Sequence, residues 1–88
     1  MTIWRADPAA SLRRRLGKSA VELGDTTADP TCPDIWELDN GDVAFIGTDL
    51  TDEYTHRLPE GVSIGANERL VVLPRNVIVA ARPDLPGA

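Results

Sequence analysis

Three shortages in the sequence each close off a class of protein. The single cysteine, Cys32, excludes an internal disulfide and any zinc site built from cysteines. One histidine, His56, cannot complete the soft-ligand set that a transition metal requires, so no metal and no cofactor is expected. The aromatic side chains are Trp4, Trp36, Phe45 and Tyr54, too few for a deep ligand-enclosing core, and this argues against an enzyme. No apolar run approaches the roughly 20 residues that span a bilayer. The first residues also lack the charged-then-apolar order of a secretory signal. The expectation is therefore a cytoplasmic protein without membrane contact.

What remains is a chain of 88 residues with a net charge of −5, enough for one small domain. A domain of this size buries only about 60–65% of the surface its unfolded chain exposes, so modest stability is expected. The charge is unevenly spread. Asp34, Glu37, Asp39, Asp42, Asp49, Asp52, Glu53 and Glu60 face Arg57 alone between positions 34 and 60, while the flanking segments are slightly basic. An acidic middle repels phosphate, which disfavours nucleic acid as a partner. It reads as a solvated surface or as a docking face for a basic protein, with Asp49, Asp52 and Glu53 as the contact residues. The run Arg13-Arg14-Arg15, with Arg5 and Lys18, is the one positive patch. It suits an acidic protein partner or the domain's own acidic middle.

Along the chain, residues 1–33 read as an N-terminal arm, partly helical or disordered. Asp7-Pro8 offers a helix start, and Ala9 to Leu16 favours helix until Gly17 or Gly24 stops it. Leu12, Leu16, Val21 and Leu23 make only a sparse apolar stripe. The stretch GDTTADPTCP, residues 24–33, reads as a linker. Trp4 could fold back onto the core.

Residues 34–85 read as a single small α+β domain, with residues 86–88 as a tail. Asn40-Gly41 between two apolar runs predicts a β-hairpin over about 34–47, closed by a two-residue type I′ turn. That turn pairs Leu38 with Val43, Trp36 with Phe45 and Ile35 with Ile46. Trp36, Phe45, Leu38 and Val43 then share the core face. Thr48 or Asp49 can cap a helix over about 49–58, with Asp49, Asp52 and Glu53 in its first turn, Arg57 in its last, and Leu50, Tyr54 and Leu58 as its stripe. This helix is expected to cover the Trp36/Phe45 face. A strand over about 68–73 joins the hairpin sheet. Residues 74–82 read either way: Pro74 suits the first turn of a helix, and Val77-Ile78-Val79 suits a strand.

Few constellations carry chemistry. The acidic cluster fails the calcium-loop pattern, because placing Gly41 or Gly47 at its sixth position puts Trp36 first or Ala44 third. His56 lies four residues after Asp52 but opposite the Leu50/Tyr54/Leu58 stripe, as a surface histidine would. Cys32 has no basic neighbours to lower its pKa. The sequence Asp39-Asn40-Gly41-Asp42 has a further reading. A glycine after Asn or Asp leaves its nitrogen free to attack the preceding side chain and form a succinimide, so this turn could be modified by an isoaspartyl methyltransferase-like enzyme.

With the segments CPDIWELDNGDVAFIGTDLT and ERLVVLPRNVIVAA in view, the chain resembles a group of small proteins from Streptomyces and relatives over residues 32–85. The Arg-rich, Lys-poor composition, with abundant Ala, Asp, Gly and Pro, agrees with such a GC-rich actinobacterial source. That group has no established activity, so the resemblance lends no functional residue. The expected function is a small, acidic, non-catalytic interaction protein whose partner is encoded nearby, an antitoxin-like neutraliser being one case. The alternative is a substrate modified at the Asp39–Asp42 turn.

Overall fold

The structure, a computed structural model, describes residues 3–26 and 33–85. The fold is α+β: a three-stranded antiparallel sheet ordered β1-β2-β3, a second sheet of two short strands, β4 and β5, and a few short helices. Strand β2 (Asp34–Leu38) lies in the middle, between β1 (Leu12–Arg15) and β3 (Val43–Ile46).

Strand β1 replaces the helix expected in the N-terminal arm. Leu and Arg have fair helix propensity, but the apolar stripe was too sparse to bury a helix face, and pairing with β2 satisfies the backbone instead. The chain then turns at Gly17 into helix α1 (Ala20–Leu23), which carries a reciprocal capping box. Ser19 Oγ accepts from the Glu22 backbone N–H, and Glu22 Oε1 accepts from Ser19 N–H. Asp7-Pro8 makes a turn in which Asp7 Oδ1 accepts from Ala9 N–H at 2.9 Å. Residues 12–25 thus belong to the folded body. Cys32 and residues 86–88 lie outside the described residues.

The hairpin forms where Asn40-Gly41 places it, but its register differs by one residue. Observed partners are Glu37 with Val43, Trp36 with Ala44, and Ile35 with Phe45. A type I′ turn needs positive φ at both central residues, and Gly41 alone adopts it, at 90°. The loop is instead a type I turn closed by a glycine bulge, with Gly41 N–H donating to the Leu38 carbonyl at 3.0 Å and Leu38 N–H to the Asp42 carbonyl at 2.8 Å. Asn40 Oδ1 accepts from Asp42 N–H at 2.9 Å, which holds Asn40 out of the left-handed region.

A one-residue slip moves every side chain to the other face of a strand. The core face is therefore that of Ile35, and Trp36 lies opposite. Ile35 packs with Leu16, Val77 and Ala81, all buried, with Leu23, Leu73 and Leu85 around them. The covering helix is α3 (Arg75–Ala81), running into a 3-10 turn at Arg82–Asp84. Residues 74–82, ambiguous in sequence, are thus helical, with Pro74 as N-cap residue and Val77 and Ala81 on the buried face.

Two further expectations are corrected. Helix α2 spans only Thr51–Tyr54 and does not cover the hairpin, because Thr48–Asp49 forms β4 and pairs with β5 (Val71–Val72). The expected strand at 68–73 accordingly belongs to this second sheet. Thr51 is the hub there. Its Oγ1 donates to Asp49 Oδ1 at 2.6 Å and accepts from Leu70 N–H at 2.8 Å.

Candidate functional site

The residues singled out in sequence fall into three groups. Of the acidic trio, Asp49 is tied to Thr51 through both the hydroxyl and the backbone N–H. Those two hydrogen bonds hold its carboxyl below the ordinary range, with Arg69 adding a smaller effect. Asp52 and Glu53 point to solvent from the first turn of α2.

The arginine run is split by the sheet: Arg14 and Arg15 alternate faces, while Arg13 lies at the register break between Leu12 and Arg14. Arg15 forms a two-pronged pair with Asp34, at 2.8 and 3.0 Å, and its guanidinium lies 4.9 Å from the centre of the Trp36 ring. The hydrogen bond to Asp34 is the main reason its pKa is raised. Arg14 reaches Glu37 at 3.1 Å and the Asp84 carbonyl at 2.9 Å. Arg13 approaches Glu37 at 3.9 Å. All three of these cations are thus directed at the chain's own acidic middle, one of the two uses expected of them.

The Asp39–Asp42 turn is exposed at Asp39, Asn40 and Gly41 and is held by the N-terminal segment. Trp4 Nε1 donates to Asp42 Oδ2 at 3.1 Å, Ser11 N–H to Asp39 Oδ1 at 3.2 Å, and Asp39 N–H to the Ser11 carbonyl at 2.9 Å. Succinimide formation needs the Gly41 nitrogen to attack the Asn40 carboxamide carbon. Both groups are held elsewhere, Gly41 N–H on Leu38 and Asn40 Oδ1 on Asp42, so the attack requires both bonds to open.

A different surface combines residues the sequence reading did not gather. On α3 the buried residues are Val77 and Ala81, and the opposite side shows Ile78 and Val79 at 44% and 61% exposure, beside Phe45 at 49%. This strip is flanked by two grooves. One, about 690 Å³, runs past Leu23, Val79, Ala80 and Pro83 with Lys18 and Arg75 on its walls. The other, about 320 Å³, is floored by Ile35 and Ala81 and bounded by Phe45, Ile78, Leu85 and Arg82. The periodic order Arg75, Ile78, Val79, Arg82 was the available signal, hidden by the strand-like run of β-branched residues.

Strand β3 borders the same strip and is the end strand of its sheet. The Ile35 carbonyl turns toward β1, where it accepts from Leu16 N–H at 2.9 Å. By the alternation of an antiparallel ladder, its partner Phe45, and Val43 with it, direct their backbone groups outward. The other edge differs in kind: β1 is arginine-rich and its register is broken between Leu12 and Arg14.

Among the described residues no cluster of three or more His, Cys, Asp or Glu could hold a metal ion, and His56 is exposed just beyond α2. No described helix is long and apolar enough to cross a membrane. The chain matches no known family model, no curated protein and no solved structure.

Proposed function

We propose that this chain is a non-catalytic interaction protein that binds a partner protein through the outer side of α3 and the adjoining β3 edge. The supporting observation is the continuous apolar strip of Phe45, Ile78 and Val79, each at least 44% exposed and bordered by an end strand whose sequence, Val-Ala-Phe-Ile, carries no charge. Apolar surface of this kind yields roughly 25 cal/mol per Å² when covered. Natural sheet edges left open to water usually carry a charge, a proline or a bulge. Strand β1 has two of these devices and β3 has none, as expected of an edge reserved for a partner.

The test is affinity capture from the protein's own cells with three baits: the wild-type chain, I78E/V79E, and D49N/D52N/E53Q. The wild-type and acid-neutralised baits should retain the same protein and the apolar-strip variant should lose it. The opposite pattern would move the binding site to the acidic face of α2, and no specific partner on any bait would end the interaction reading.

A further inference from the structure

The charges around the α3 strip specify what kind of element fits it. Helical periodicity brings Arg75, Ile78, Val79 and Arg82, at positions i, i+3, i+4 and i+7, onto one stripe. Arg82 retains helical dihedrals (φ −54°, ψ −47°), so the stripe stays in phase to its end. The result is an apolar centre between two guanidinium-bearing positions about 10.5 Å apart along the axis. Lys18 adds a third cation to the groove that Arg75 lines.

No carboxylate lines either groove, although the chain as a whole carries a net charge of −5. Of the nearby acids, Asp84 Oδ2 accepts from Gly17 N–H at 2.6 Å, Asp25 accepts from Asn76 Nδ2 at 2.9 Å through Oδ1 while its Oδ2 is buried without a hydrogen bond, and Glu22 lies near enough to Lys18 to feel its charge. Among the described residues the ion pairs are those of Arg13, Arg14 and Arg15, so Arg75 and Arg82 have no such partner and Lys18 has only the longer-range attraction of Glu22. Cations next to apolar surface are attracted most strongly by a partner whose own apolar stripe is bordered by carboxylates.

Resting on the partner-binding reading above, we propose that the element received by this face is an acidic amphipathic helix, with carboxylates at the two ends of a two-turn apolar stripe. A strand added to β3 would leave Lys18, Arg75 and the groove beside α1 unused. A helix laid along the outer side of α3 meets Lys18, Arg75 and Val79 in the groove beside α1, and Ile78 and Arg82 on its other side. The small side chain of Ala80 on that groove's lining permits the 8–10 Å axis separation of packed helices, about what such a contact requires. A second copy of this chain supplies no such helix among the described residues, because α1 and α2 are four residues each and α3 itself presents arginines.

The experiment uses fluorescein-labelled synthetic peptides of about 18 residues, long enough to populate a helix, titrated with the full chain and read by anisotropy. One peptide is a Leu/Glu amphipathic helix, the second its Leu/Lys counterpart, and the third a Leu/Glu sequence scrambled so that leucine surrounds the helix. The Leu/Glu helix should bind at least about tenfold more tightly than the Leu/Lys helix and should weaken as salt rises toward about 0.3 M. The variant K18E/R75E/R82E should reverse that order, and R75Q/R82Q should abolish the preference if the triple variant proves unfolded by circular dichroism. Equal binding of the Leu/Lys helix, or of the scrambled peptide, would overturn the proposal. So would a dimer in sedimentation that I78E/V79E dissociates, since a second copy would then be the occupant. Loss of natural-partner capture by I78E/V79E, with no effect of the charge variants on capture or peptide binding, would refute the acidic helix while leaving the interaction function standing.

Discussion

Around Leu16, Ile35, Val77 and Ala81 the chain is held by apolar side chains with almost no exposed surface, brought together from three separate segments. Between Thr48 and Val72 the only buried described side chain is that of Thr51, and cohesion comes from hydrogen bonds: Asp49 to Thr51, Thr51 to Leu70, and the Leu50 N–H to the Leu70 carbonyl at 3.0 Å. The first region excludes water and must come apart as a unit. The second exchanges bonds with solvent at small net cost, since an intramolecular hydrogen bond contributes only about 0.5–1.5 kcal/mol. One short chain is thus expected to combine a cooperative body with a lobe that opens by itself.

The most severe way to break this contrast is Leu16→Ala. Leu16 has no exposed surface, and the cavity left should cost about 2–5 kcal/mol, a large share of the stability of so small a domain. Urea denaturation followed by circular dichroism should show the midpoint fall accordingly, with both regions lost together. Gly17→Ala should follow. Gly17 has φ of 74°, and an added Cβ would lie 2.7 Å from backbone atoms of Ala80 and Ala81. The left-handed conformation alone costs a residue with a side chain about 1–2 kcal/mol, to which the displacement of α3 adds. A melting temperature equal to wild type would show that α3 is not seated on that turn.

Thr51→Val tests the polar lobe. It keeps the shape and removes the hydroxyl, so the expected loss is about 1–2 kcal/mol and local. Amide exchange should accelerate at Leu50, Thr55 and Leu70 while the β2 amides keep their protection. Uniform acceleration would mean that the lobe and the body are one cooperative unit.

The smallest effect expected is that of pH. The Asp49 and Glu22 carboxyls are both held below their ordinary values, by hydrogen bonds from Thr51 and Ser19 respectively. Their contribution is therefore fully present above the unfolded carboxyl pKa, about 4, and is lost as the pH falls through the lower folded-state values. In an acid titration followed by amide-resolved NMR, the Asp49-linked resonances of the 48–72 lobe should move with a midpoint below that of a free carboxyl, about 4, and D49N should remove that low-pH transition.

These contrasts also explain what could be read from the residues alone. The hairpin was legible because Asn40-Gly41 is a strong local signal, but its register was not: whether one or both turn residues take positive φ depends on the Asn40 side chain capturing the Asp42 N–H. The register that goes with this turn puts Ile35, and not Trp36, on the core face. Strand β1 was concealed because arginine and leucine favour helix in isolation, while tertiary pairing with β2 overrides propensity. The acidic middle and the arginine run were visible as charges, yet their mutual pairing across Asp34 and Glu37 depends on the sheet. For the same reason the α3 stripe escaped notice, since Val77-Ile78-Val79 carries a strand's composition and reveals its helical phase only once Val77 and Ala81 are seen to be buried.

The order of the three strands has a consequence in time. Strands β2 and β3 are joined by a short turn and can pair early, whereas β1 must return from across the intervening chain, and α3 must arrive from the opposite direction before Leu16 is enclosed. Closing long loops is entropically expensive until the contacts they bring are made. The hairpin turn is therefore expected to be formed in the folding transition state and the Leu16 contacts to form after it. In stopped-flow measurements Gly41→Ala should chiefly slow refolding, and Leu16→Ala should chiefly hasten unfolding. The same glycine bulge that sets which face is buried would then also set the pace at which the protein acquires that face.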